Sequence, residues 1–108
     1  MKPEYKNIAL VKNEEKRRFE IKIGGRNAFT NYGEFGNQIA LVHTETDPEL
    51  SGQGAASALI EKTLRYLEDK QVQLLPFCPF VFAYIQRHPE WKRIVSKKFK
   101  GYDKLQPK

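Results

Sequence analysis

At 108 residues the chain is long enough for one hydrophobic core and too short for two. A hydrophobic content of 40%, with one Trp, five Tyr and seven Phe, is that of a folded globular domain rather than a disordered segment. The formal net charge of +6 is uneven: residues 1–91 hold 12 basic and 12 acidic side chains, whereas residues 92–108 hold seven basic residues against Asp103. The basicity therefore belongs to the C-terminal end and not to a nucleic-acid-binding face spread across the fold.

Residues 8–11 are a short strand candidate, followed by a turn at Asn13-Glu14-Glu15. From 18 to 23 the alternation is clear, with Phe19, Ile21 and Ile23 on one face and Glu20 and Lys22 on the other. Gly24-Gly25 marks a hairpin turn. Residues 26–35 read as a third strand rich in Phe and Tyr, and residues 38–46 as a fourth, the most apolar, ended by Asp47-Pro48. An amphipathic helix is predicted from about 52 to 70, with Leu59, Ile60, Leu64 and Leu67 on one face. Residues 72–77 make a fifth short strand and residues 80–87 a second helix, stopped at His88-Pro89. One further turn fits 90–95, and 96–108 read as loosely ordered. Four meandering strands, a helix, a strand and a helix give an α+β fold, an α/β sandwich, with the strands at 38–46 and 72–77 parallel neighbours.

No apolar run of 18 residues predicts a transmembrane helix, and Met-Lys-Pro-Glu-Tyr-Lys lacks the apolar segment of a signal peptide. A single cysteine forms no internal disulfide, which fits a reducing, cytoplasmic setting. No membrane partner is expected.

Leu50-Ser51-Gly52-Gln53-Gly54-Ala55-Ala56 is the most informative stretch. It leads from an apolar strand into a helix, where backbone N–H groups gather at the positive end of the helix dipole and suit a phosphate or pyrophosphate. Glycine at 52 and 54 lets an anion approach the backbone and reaches turn dihedrals closed to other residues. The alternative is a plain helix start capped by Ser51 or Gly52. The turn has no Lys and no Gly-x-x-x-x-Gly-Lys-Ser/Thr, which argues against an NTP-binding loop. Nor is the Gly-x-Gly-x-x-Gly dinucleotide fingerprint met.

Cys78 follows the fifth strand at Phe77-Cys78-Pro79-Phe80, at the carboxyl end of a strand with a parallel neighbour, where ligands collect. His43 interrupts an apolar strand, on the face that simple alternation shares with Leu41 and Glu45. If the two strands are neighbours, Cys78 and His43 form a nucleophile and its base. The competing readings are an inert core thiol and a histidine satisfied by backbone. Tyr84, six residues beyond Cys78, is either a general acid for a departing thiolate or a packing residue. His88 reads as a cap or packing residue. Two distant histidines and one cysteine match no zinc spacing, and no metal is expected.

The stretches His43-Thr-Glu-Thr-Asp-Pro-Glu-Leu-Ser-Gly-Gln-Gly-Ala-Ala-Ser-Ala-Leu59 and Cys78-Pro-Phe-Val-Phe-Ala-Tyr-Ile-Gln-Arg-His-Pro-Glu-Trp91 resemble the GNAT superfamily of N-acetyltransferases, in its small single-domain branch. The superfamily carries Gln/Arg-x-x-Gly-x-Gly/Ala between its fourth strand and main helix. Here the run is Glu49-Leu50-Ser51-Gly52-Gln53-Gly54, so the glycines match and Glu49 departs. The resemblance implies a mixed sheet of four antiparallel strands with a parallel fifth, binding acetyl-CoA as co-substrate. It also implies that the backbone of Leu50, Ser51, Gly52, Gln53, Gly54 and Ala55 holds the coenzyme pyrophosphate. The strand from Val42 through Thr44 to Thr46 then pairs with the pantetheine arm, leaving the thioester beside His43 and Cys78. A tyrosine at the place of Tyr84 often protonates the leaving thiolate in the larger superfamily. Two helices between the first strands and two final strands of that superfamily are missing here, and these normally build the acceptor pocket.

The resulting expectation is a single acetyl-CoA-binding domain over 1–95 with a basic tail at 96–108, transferring acetyl to an unidentified amine, small molecule or protein. Water, His43 or Glu45 is the candidate base for direct attack by the amine. A covalent route through Cys78 is the chemical alternative. The rival readings are a non-catalytic acetyl-CoA-binding or protein-interaction module, and nucleic-acid binding through the basic tail.

Overall fold

Alternating apolar and polar residues build the first half of the chain as an antiparallel meander. The computed structural model describes residues 1–105. Strand β1 (Val11–Asn13) pairs with β2 (Arg18–Ile23), β2 with β3 (Arg26–Phe35), and β3 with β4 (Gln38–Thr46), all antiparallel. Helix α1 (Ala55–Asp69) follows, then β5 (Gln73–Pro76), parallel to β4, then α2 (Pro79–Arg87). The five strands form one mixed sheet in the order β1-β2-β3-β4-β5, an α+β fold.

The core lies between α1 and one face of the sheet. Helix α1 buries Ala55, Ala58, Leu59, Ile60, Thr63, Leu64 and Leu67, a stripe at helical spacing. Facing it, the alternation of β2, β3 and β4 turns Phe19, Ile21, Ala28, Thr30, Tyr32, Ile39 and Leu41 inward, all buried. Each fully buried Leu or Ile here contributes about 1.5–3 kcal/mol of transfer free energy. Thr63 satisfies its hydroxyl by donating to the carbonyl of Leu59 at 2.8 Å.

Several boundaries differ from the sequence reading. Strand β1 begins at Val11 rather than at 8, because its register on β2 is fixed by Val11↔Glu20 and Asn13↔Arg18. Helix α1 begins three residues late because Gly52 and Gly54 both take left-handed φ, +76° and +77°, which no helix continues. The turn expected at 90–95 is a 3-10 segment, Pro89–Ile94.

The larger correction concerns the C-terminal end. Loose order was expected from residue 96, yet 96–105 pack onto the fold. Val95 makes a parallel bridge with Leu74, and the Ser96 N–H donates to the Leu74 carbonyl at 2.9 Å. Gln38 Nε2 donates to Ser96 Oγ at 3.0 Å, and Leu105 in the 3-10 turn Tyr102–Leu105 is completely buried. The physical reason is that Val95, Phe99 and Leu105 alternate with the lysines and supply an apolar side that the net charge conceals. Residues 106–108 of the expected tail lie outside the described residues.

Candidate active site at the fork between β4 and β5

Strands β4 and β5 pair only from Gln38↔Gln73 to Leu41↔Pro76. The last link is the Cys78 N–H donating to the Leu41 carbonyl at 2.8 Å. Beyond it the strands part, and β4 continues to Thr46 with its β5-side edge open. On the other edge, Asp47 N–H donates to Asn27 O at 2.9 Å. Backbone groups alternate sides along a strand, so those of Glu45 and His43 face β3, while those of Thr44 and Thr46 face the open edge.

A bulge lies where the strands part. The β3–β4 register runs Asn31↔His43 and then Tyr32↔Leu41, which leaves Val42 as an extra residue. A bulge bends its strand and shifts the side-chain alternation by one. The expectation that His43 shares a face with Leu41 is therefore corrected. Thr44, opposite Thr30, joins Leu41 on the helix side, and His43 and Glu45 point to the other face, opposite Asn31 and Phe29. There both side chains are largely exposed, and His43 Nε2 lies 3.3 Å from Glu45 Oε2.

Cys78 is buried, 3% exposed, at the N-cap of α2. Its recorded partner is Thr44, not His43: Sγ and Thr44 Oγ1 are 3.3 Å apart. Thr44 Oγ1 in turn donates to Thr30 Oγ1 at 3.0 Å. A hydroxyl has one proton to give, so with Thr44 donating to Thr30 the thiol S–H is the donor to Thr44. Thr30 is completely buried and was not singled out from sequence. Its signal was a threonine at an inward position between Ala28 and Tyr32.

The glycine turn is built by local hydrogen bonds. Asp47 caps the 3-10 turn Pro48–Leu50 by accepting from the Glu49 N–H at 2.9 Å, and Leu50 is buried beneath it. Ser51 N–H donates to Pro48 O and Gln53 N–H to Leu50 O. Tyr5 Oη donates to the Gln53 carbonyl at 3.0 Å, tying the N-terminal segment to the turn. Glu49, the departure from the superfamily motif, lies 3.4 Å from Arg26 Nη2.

Gly54 is the N-cap of α1, in left-handed conformation and with no side-chain cap. The first helical bond is Ala58 N–H to Gly54 O at 3.0 Å, so the N–H groups of Ala55, Ala56 and Ser57 precede the intrahelical ladder. They open into a notch of about 230 Å³ lined by Thr46, Leu50, Ser51, Gly52, Gly54, Ala55, Ala56, Ser57 and Phe80. A Cβ on Gly52 or Gly54 would meet nothing within 4 Å, so space lies in front of both. Thr46 joins the notch to the open edge of β4. Phe80, on α2, was not anticipated as part of it.

Tyr84 is placed apart from this cluster. It lies six residues beyond Cys78, about 9 Å along the axis of α2, buried, with its ring 4.4 Å from that of His88. Burial, then the negative charges of Glu61 and Glu90, push its phenol up to about 12. Among the described residues no hydrogen bond joins it to Cys78 or Thr44. No group of three or more His, Cys, Asp or Glu gathers among the described residues in a way that could hold a metal ion. No helix among them is long and apolar enough to cross a membrane.

A family model described as GCN5-related N-acetyl-transferase matches residues 18–94, from the start of β2 through the fork and α2. The chain belongs to this family of acyl-transfer proteins, which generally use acetyl-CoA with an acceptor substrate. A comparison with curated proteins gives no significant match.

Proposed function

We propose that the protein binds acetyl-CoA at the fork and transfers its acetyl group to an amine. One observation carries this reading: the uncapped turn at Gly54 opens into a notch continuous, through Thr46, with the unpaired edge of β4. The notch fits a pyrophosphate on the N–H groups of Ala55, Ala56 and Ser57, where the helix dipole favours negative charge, while those of Leu50, Ser51 and Gln53 are spent within the turn. The free edge at Thr44 and Thr46 fits the amide-bearing pantetheine arm, which takes strand-like hydrogen bonds. An arm of that reach brings the thioester toward Thr44 and Cys78.

Direct attack by the amine is the reading the geometry favours over a covalent route. The Cys78 thiol is buried and donates into the Thr44–Thr30 pair, whereas His43 and Glu45 stand exposed and able to accept a proton. The test is isothermal titration with acetyl-CoA and CoA, beside Gly54→Glu, which fills the notch with a side chain and a negative charge. Binding by the wild type that is lost in the variant supports the site. A folded wild type that binds neither ligand sinks it.

A further inference from the structure

Val42 and Phe77 are the first residues beyond the last β4–β5 pair, Leu41↔Pro76. Both are large apolar side chains left in water, 48% and 57% exposed. Phe77 is held rather than loose, its ring edge-on to Phe99 at 5.3 Å between centroids. The pair before them, Leu41 and Pro76, lies on adjacent parallel strands about 4.8 Å apart, and Val42 and Phe77 follow at the mouth of the fork. Immediately along β4 from Val42 stand His43 and Glu45, their side chains 3.3 Å apart and exposed.

We propose that this surface selects the acceptor, and that the acceptor is a small primary amine on an apolar, preferably aromatic, body. The inference rests on the acetyl-CoA reading above. The apolar body covers Val42 and Phe77, and the ammonium is drawn to the Glu45 carboxylate. There the ammonium gives up one proton, through the His43–Glu45 pair, to solvent. The neutral nitrogen attacks the thioester carbonyl; the C–N bond forms and the C–S bond breaks. The nitrogen's second proton departs and the coenzyme thiolate is protonated, so each ammonium and acetyl-CoA yield one amide, one CoA thiol and one proton. A hydrophilic amine gains the charge contact and leaves the two apolar side chains in water, so it is the poorer substrate.

The experiment compares 2-phenylethylamine with ethanolamine at saturating acetyl-CoA, using wild type, Phe77→Ser and Phe77→Leu, with acetyl-CoA affinity measured by calorimetry in each. We expect kcat/KM to favour phenylethylamine by at least about tenfold. Phe77→Ser should remove that preference through KM for the amine and Phe77→Leu should restore part of it, while acetyl-CoA affinity is unchanged in both. Equal use of the two amines, or a preference that survives Phe77→Ser, overturns the inference and leaves the coenzyme site standing. A wild type that does not bind acetyl-CoA overturns both. Concentration-dependent self-association dissolved by Phe77→Ser, seen by sedimentation, also overturns it, because a second copy then covers the surface.

Discussion

Thr44 Oγ1 lies 3.3 Å from Cys78 Sγ, across the point where β4 and β5 part. The contact joins two elements that share no backbone hydrogen bond beyond Leu41, and it is continued inward by Thr30. Thr44→Val keeps the shape and removes the hydroxyl, leaving the Thr30 hydroxyl and the thiol each short of a partner. The expected loss is about 1–3 kcal/mol, read from urea midpoints, with Thr44→Ser close to wild type. A Val variant as stable as wild type would show that the hydroxyl chain contributes nothing net.

Leu105 closes the far side of the fold. As a completely buried side chain it should cost about 2–5 kcal/mol when cut to Ala. Truncation after Val95 removes Leu105, the Ser96 bonds to Leu74 and Gln38, and the Phe99 ring against Phe77. Thermal unfolding of that truncation should show a lowered midpoint. An unchanged midpoint would mean that these residues only decorate the fold.

Gly54 combines open space with a left-handed φ of +77°. Gly54→Ala therefore carries no steric clash and only the backbone penalty of a Cβ in that region, roughly 1–2 kcal/mol. Denaturant unfolding should report that amount with the fold retained. A neutral or stabilising Ala would mean that the turn relaxes out of the left-handed region.

The Tyr84 phenol gives a signed pH dependence. Its ordinary value is 10.0 and in the fold it is pushed up to about 12. Below the ordinary value the native and unfolded chains both keep this proton, and its contribution is fully present. Between about pH 10 and 12 the unfolded chain ionises first and binds fewer protons than the native one, so stability falls as pH rises. Tyr84→Phe should flatten that decline by roughly 2 kcal/mol, at about 1.4 kcal/mol per unit of pKa. Parallel curves for the two proteins between about pH 9 and 11.5 would refute the assignment.

What was legible in the sequence was set by periodicity and by glycine. The bounds of β3 and β4, the Gly24-Gly25 hairpin and the parallel partner of β4 follow from alternation and from the strand–helix–strand order. The turn before α1 was legible because Gly52 and Gly54 take left-handed φ, a region that favours glycine. The partner of Cys78 was not legible. In the apolar run from Ile39 to Val42 the alternation is already lost, and a single inserted residue leaves no mark in composition, so His43 rather than Thr44 was placed with Leu41. The C-terminal end was misread for a different reason. Seven cations over a short stretch dominate the composition, while its packing depends on a few apolar residues spaced between them.

The bulge at Val42 makes the fork a matter of chain length. Because Val42 is the unmatched residue, its removal would keep Leu41 and Thr44 facing the helix and His43 facing away, and would only straighten the strand. His43 points the same way as Val42, so losing either one restores plain alternation, whereas a residue lost from the paired stretches on either side would turn the side chains beyond it to the opposite face. The aperture of the fork is thus held by a count of residues, and the bulge at Val42 and His43 is the place in β4 where that count can change without scrambling the strand.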